Sequence, residues 1–305
     1  MNIITSGASY LDIDAYACCI AFAELLNLQG LPARAVSSAK PNSSVSPTVL
    51  GWGAAFQRYT PQANDAFVLV DVSDHHHFDP LVVLDQVVEV IDHHPGYERY
   101  WTERLGSAAD IRPIGAAATL VFQRWHAAGL LPRISAQSAA LLATAILDNT
   151  LNFTGQMTTD ADIEAYEVLA QRATLPANWP EQYFLECQAA IEADLQTALA
   201  ADLKRFNPDS NLPQVFAQMT VWDADALLDR HRNEICAWMA GQGEDWLLNV
   251  ISIRDGQSCL LAEPQVSQQT LNRLLPLQWR AAVAVVKPSM LRKELLKLGL
   301  NLNPA

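Results

Sequence analysis

The sequence lacks several familiar signatures. It has no CxxC pair, and its five cysteines (Cys18, Cys19, Cys187, Cys236 and Cys259) are odd in number. That argues against a disulfide framework or a zinc knuckle and for reduced thiols. No apolar run approaches the ~18 residues of a membrane span. The N-terminal Met1-Asn2-Ile3-Ile4-Thr5 does not have the basic-then-apolar order of a signal peptide. Positive charge is scarce: 20 Lys and Arg stand against 33 Asp and Glu, for a formal net charge of -13. Contacts to a nucleic-acid backbone need Lys and Arg to release counterions, so this balance disfavours a nucleic-acid partner. Glycine and proline are not enriched, and no repeat or low-complexity tract is evident. These absences leave a cytoplasmic protein with no membrane partner as the expectation.

What is present reads as globular. Half of the 305 residues are hydrophobic and 17% are charged, enough for two domains that each bury a core. The segment 2–5 reads as a strand, and short Val-rich runs at 66–72 and 87–91 have the character of buried strands. They alternate with helical patterns at 14–28, 115–129, 135–147 and 159–173. Strands alternating with helices predict an α/β fold with a mainly parallel sheet flanked by helices. The segment Ala173–Pro180 (ATLPANWP) breaks the pattern, and 181–206 then reads as one long helix. Further strands are expected at 214–222, 246–253 and 281–287. The expected division is 1–188 for an N-terminal domain and 189–305 for a smaller C-terminal α/β domain.

Four groups of polar residues fall where strands or apolar runs end: Asp12 and Asp14; Asp71, with Asp74 and His75-His76-His77 just beyond; Asp92-His93-His94; and Asp148. In open α/β sheets, ligands bind outside the carboxyl ends of the strands. Carboxylates and imidazoles together suit Mn, Mg, Zn or Fe. A pair of such ions can activate water for phosphoryl transfer. Each group also has a plainer reading. Asp12 and Asp14 could cap a helix, the His run could be a solvated loop, and Asp148 could simply end a helix. Asp92-His93-His94 is the most specific, because charge buried at a strand end needs a partner.

The motifs LDIDA (11–15), LVDVSD (69–74), VIDHHPG (90–96), IGAAATLV (114–121) and AILDNTLNF (145–153) resemble those of the DHH phosphoesterase superfamily. ADLKRF (201–206) and PSMLRKELL (288–296) are similar to segments of its family II, manganese-dependent inorganic pyrophosphatases and related exopolyphosphatases. The resemblance spans nearly the whole chain and is densest in the first half. It implies a DHH catalytic domain in which Asp12, Asp14, Asp71, His93 and Asp148 hold one or two Mn2+ or Mg2+ ions. Asp71 would bridge them. His94 would contact substrate, Asp92 would orient a neighbouring imidazole, and Asp71, Asp92 and His94 would form the catalytic group. Lys204, Arg292 and Lys293 would bind the phosphate.

Two positions depart from that pattern. Ala8 stands where such pyrophosphatases carry a His, which leans toward the exopolyphosphatase-like members. Strict alignment puts Asn149 rather than Asp148 at a ligand position. One of His75, His76 and His77 could compensate for Ala8. The implied activity is hydrolysis of a phosphoanhydride bond in pyrophosphate or short polyphosphate by a metal-activated water, on a small anionic substrate. The alternatives are a phosphodiesterase acting on short oligonucleotides or cyclic dinucleotides, and a phosphate-binding protein without turnover. A homodimer remains open.

Overall fold

The computed structural model describes residues 1–301, apart from Ala55 and Gln57. The chain divides into two compact units, Met1–Tyr183 and Phe184–Ala305.

The first unit runs β1 (Asn2–Thr5), α1 (Ile13–Leu28), β2 (Ala33–Ala35), α2 (Pro47–Gly51), β3 (Ala66–Val70), β4 (Val87–Asp92), α3 (Glu98–Leu105), β5 (Ala109–Ile111), α4 (Ala117–Ala127), α5 (Ala136–Asn149) and α6 (Asp160–Ala173), with α7 (Trp179–Ala193) crossing the boundary. Its sheet has the order β2-β1-β3-β4-β5 and is parallel throughout. The Val-rich runs lie in its interior. Phe67 to Val70 are all buried, as a strand covered on both faces requires. One face carries Ile3, Phe67, Leu69, Val87, Val90 and Trp101. Helix α1 is buried around nearly its whole circumference, from Ile13 to Phe22 save Ile20, which marks a helix packed on several sides rather than a surface one. The chain leaves β1 for β2 on one side and reaches β3 on the other. The resulting switch point lies between the carboxyl ends of β1 and β3, the usual place for a crevice in such sheets.

The second unit continues with α8 (Leu195–Ala201), β6 (Lys204–Arg205), β7 (Val215–Val221), α9 (Ala224–Ala240), β8 (Trp246–Ser252), β9 (Gln257–Leu261), α10 (Gln265–Leu274), β10 (Val283–Val286) and α11 (Arg292–Asn301). Its sheet order is β10-β9-β8-β7-β6. The β7–β8 pair is parallel and the others are antiparallel. Period-two alternation divides the core. Val215, Ala217, Met219 and Val221 face one layer with α9, and Phe216 faces the other with Leu271 and Leu295.

The single helix expected over 181–206 is three elements, α7, α8 and β6. Asp194 breaks it: its carboxylate accepts from Thr197 N at 3.2 Å and starts α8 anew. An Asp that caps competes with the continuing helix. No helix among the described residues is long and apolar enough to cross a membrane.

Candidate metal centre

The strand ends of the first unit bring the acidic and imidazole residues together. Asp12 is the N-cap of α1, accepting from Ala15 N at 2.9 Å. The plain capping reading therefore holds for it, but its charge also acts on its neighbours, as described below. Asp14, in the first turn of that helix, is fully buried. Its Oδ2 accepts from Ala117 N and its Oδ1 from Ala118 N, both at 2.8 Å. These are unpaired donors of the first turn of α4, where the helix dipole favours negative charge. The glycine just before α4 is set by a different carboxylate. A Cβ on Gly115 would meet Asp162 Oδ2 and Thr150 Cγ2, each at 2.7 Å.

Asp71 follows β3 with φ 57°, a left-handed backbone that Asp tolerates better than most residues. Its amide continues the ladder to Ile91 O at 2.8 Å. Its Oδ1 is buried and accepts no hydrogen bond among the described residues. The atoms facing that oxygen are His93 Nε2 at 3.4 Å and His94 Nδ1 at 3.8 Å, with His93 Nε2 also 4.0 Å from Asp14 Oδ2. His93 Nδ1 lies 3.0 Å from the carbonyl of Ile114. A carbonyl can only accept, so Nδ1 carries the proton and Nε2 presents its lone pair to Asp14 and Asp71. An orphaned carboxylate oxygen and an imidazole lone pair aimed at each other are what a divalent cation would join. The residues fit a hard or borderline ion.

Asp92 plays a different part. It is fully buried, and its Oδ1 accepts from His93 N at 2.7 Å, His94 N at 3.2 Å and His94 Nδ1 at 2.9 Å. Burial opposes its ionisation. The hydrogen bond and charge of His94, with help from Ser73 and His93, outweigh that and hold the carboxyl below its usual range. In return, although burial disfavours the imidazolium, the bond to Asp92 and the charge of Asp71 raise the His94 pKa.

Three other carboxylates of the group show the opposite shift. Burial, then repulsion from Asp12 and Asp14, pushes Asp71 well above the carboxylate range despite His94. Burial also raises Asp14, against the pull of His93. Asp148 is pushed up to about 7 by burial and by Asp12 and Asp14, while a hydrogen bond from Tyr183 opposes the rise. That bond spans 2.9 Å. Asp148 thus belongs to the acidic group. Asn149, next along the helix, donates its amide to Ala145 O of its own helix at 3.4 Å.

None of the three consecutive histidines joins Asp71. Among the described residues, the groups with three metal donors within 4.8 Å of one another are Asp71, His93 and His94, and Asp74, His75 and His76. A cavity of about 260 Å³ is lined by Asp71, Asp74, His77, Asp92, His94 and Tyr97, among others. A larger cavity of about 530 Å³ lies beside Val36, Ser38 and Tyr59. Its carboxylate, Asp79, is already bonded to Ser37, Ser38 and Leu81, so it offers no comparable chemistry.

The basic residues singled out in the sequence lie in the second unit. Lys204 on β6 and Lys293 on α11 are exposed. Arg292 is engaged: it donates to the carbonyl and the carboxylate of Asp202 at 2.7 and 2.6 Å and lies over the Phe216 ring. Three supporting groups were not read from the sequence: the Ile114 carbonyl, Tyr183 and Asp162. Only Asp162 left a signal, the capping box Thr159-x-x-Asp162.

No protein-family model matches the chain. A protein named probable manganese-dependent inorganic pyrophosphatase from Bacillus pumilus is 30% identical over 266 residues, 82% of each chain. One of the same name from Bacillus licheniformis is 26% identical over 277 residues, 88% of this chain and 87% of that one. A Methanococcus jannaschii structure described as a family II inorganic pyrophosphatase shares the fold with a TM-score of 0.69 at 17% identity, covering 99% of this chain and 100% of its own. An exopolyphosphatase-related protein from Bacteroides fragilis does so with a TM-score of 0.53 at 13% identity, covering 98% and 91%. With 30% identity to a relative over 82% of its length, the chain belongs to the manganese-dependent, family II inorganic pyrophosphatases of the DHH superfamily.

Proposed function

We propose that this protein hydrolyses the phosphoanhydride bond of pyrophosphate or short polyphosphate with a divalent cation, Mn2+ or Mg2+, held by Asp12, Asp14, Asp71, His93 and Asp148. The observation that carries the reading is the buried, unpartnered Asp71 Oδ1 facing the Nε2 lone pair of His93. A cation bound there supplies Lewis acidity toward water and the phosphate oxygens.

The other residues have roles their surroundings support. Asp92 holds the His94 ring by Nδ1 and so leaves Nε2 free to carry a proton to a phosphate oxygen. Water adds its oxygen to one phosphorus and gives up a proton, and the bond from that phosphorus to the bridging oxygen breaks. The bridging oxygen takes the proton from His94, and the proton lost by water reprotonates His94, giving two phosphates from pyrophosphate. Lys204, Arg292 and Lys293 neutralise the phosphate charge. For Arg292 this requires exchanging Asp202 for substrate, since both are acceptors for the same fork. The relatives' names carry manganese and pyrophosphate, and this reading extends both to the present chain.

Incubation with pyrophosphate, tripolyphosphate and a dinucleotide, each with Mn2+ and with chelator, tests the reading, with phosphate release measured for the first two and mononucleotide formation for the third. Mn2+-dependent phosphate release from the first two supports it. Cleavage of the dinucleotide alone would make the protein a phosphodiesterase.

A further inference from the structure

The residue order of the metal centre occurs twice. Asp74-His75-His76 comes shortly after β3, as Asp92-His93-His94 comes at the end of β4, and the two strands are neighbours in the sheet. The copies share geometry as well as sequence. Asp92 Oδ1 accepts from the backbone N and the Nδ1 of His94 at 3.2 and 2.9 Å. Asp74 Oδ1 accepts from the backbone N and the Nδ1 of His76 at 3.0 and 2.9 Å. In both, an aspartate fixes the imidazole two residues on and leaves its Nε2 outside that bond.

The second copy has features of its own. His77 Nδ1 approaches the other oxygen, Asp74 Oδ2, at 3.4 Å. Burial opposes ionisation of Asp74, but bonds from His76 and Tyr97 and the charge of His77 hold its pKa at about 2. His75 packs its ring against His76, with centroids 4.1 Å apart, and stacks on Tyr100 at 5.4 Å. Its Nδ1 is buried and has no hydrogen-bond partner among the described residues. A buried polar atom without a partner is uncommon and calls for a ligand. The run sits in a single helical turn, pinned to the chain before α1 by the Ala8 N to His77 O bond at 2.9 Å. Its position is therefore fixed by backbone as well as by side chains.

From this we infer that Asp74, His75 and His76 form a second cation site, sharing no ligand with the centre at Asp71. Two imidazoles and one carboxylate select a first-row transition cation such as Mn2+, Co2+ or Zn2+ over Mg2+, which prefers an all-oxygen shell. Asp74 and His77 line the same cavity as Asp71 and His94, so the cation adds positive charge to a cavity whose protein walls are acidic. The inference goes beyond the hydrolysis proposed above and does not depend on it.

The test is a count of bound ions. Wild type, H75A/H76A, D74N and H93A are stripped with chelator, dialysed against Co2+ or Mn2+, and analysed for metal per folded chain. The Co2+ absorption spectrum is recorded alongside. H75A/H76A and D74N should each hold one ion fewer than wild type and lose part of the Co2+ absorption. H93A should lose metal from the other centre and keep this ion. Asp74→Asn preserves side-chain shape and carries the test if the double variant fails to fold. Wild-type metal content and affinity in H75A/H76A and D74N would overturn the site, even in a chain that hydrolyses pyrophosphate. Loss of the ion in a chain that hydrolyses no pyrophosphate would support the site and count against the proposed activity alone.

Discussion

His93 Nδ1 donates to the carbonyl of Ile114 across 3.0 Å, and that bond decides which nitrogen faces Asp71. Outer partners of this kind set the tautomer of a metal-binding histidine. His93→Ala removes the lone pair and should weaken Mn2+ binding by at least about 100-fold, the upper range seen for losing even an outer partner. Calorimetric titration of the chelator-treated protein measures this. Mn2+ binding as tight as in wild type would take His93 out of the centre.

Asp148 gives a pH dependence with a definite sign. Its folded-state pKa is about 7 against an ordinary 3.8. Between those values the native state holds a proton that the unfolded chain has released. The carboxyl's contribution to stability is therefore full below about pH 4 and is lost as pH rises through about 7. In the metal-free protein, Asp148→Asn should gain stability relative to wild type as pH rises from about 4 to about 7. Metal affinity of the wild type should rise over the same window, because the ligand must be ionised. Tyr183→Phe removes a bond that favours the ionised form and should move both profiles to higher pH. Melting temperatures and Mn2+ titrations across pH check the set.

Asp162 holds the start of α4 in place. Fully buried, it accepts from Gly115 N at 3.1 Å, Thr119 Oγ1 at 2.5 Å, Thr159 N at 2.8 Å and Thr159 Oγ1 at 2.7 Å. Asp162→Ala strands those donors and should cost about 3 kcal/mol or more. Gly115→Ala forces a Cβ against the same carboxylate and should cost about 1–3 kcal/mol. Both should also weaken metal binding, since Ala117 and Ala118 fix Asp14 from that helix start. Chemical denaturation gives the first effect and metal titration the second.

The basic residues should separate by readout. Lys204→Ala and Lys293→Ala should raise KM for pyrophosphate and lower kcat with bound metal unchanged. Arg292→Ala should do the same and also lower stability by about 1 kcal/mol, since Asp202 loses a forked but partly solvated partner. Steady-state kinetics beside metal analysis decide this. Loss of metal in any of the three would assign these residues to the metal centre instead.

Much of this architecture was legible because the interior parallel strands are apolar runs that end in carboxylate and imidazole residues. Phe67 to Asp71 and Val87 to His94 show it directly. The three-residue strands β2 and β5 are too short to leave a periodic trace. Strand β9 escaped notice because its buried Ser258 bonds Met290 O at 3.1 Å, which breaks the apolar pattern. At Asp148 and Asn149, alignment alone favoured the asparagine. In the fold, Asp148 accepts from Tyr183 and feels the charges of Asp12 and Asp14, while Asn149 bonds back to Ala145 O of its own helix. The Ile114 carbonyl could not be foreseen, because a backbone acceptor has no residue type to read.

The central claim rests on Asp71. The direct measurement is phosphate release from pyrophosphate by chelator-treated protein before and after Mn2+ is restored, for wild type and Asp71→Asn. The account predicts no release without metal, release from the wild type once Mn2+ returns, and none from Asp71→Asn. Release by Asp71→Asn at the wild-type rate, or none from the wild type with its metal restored, would contradict it.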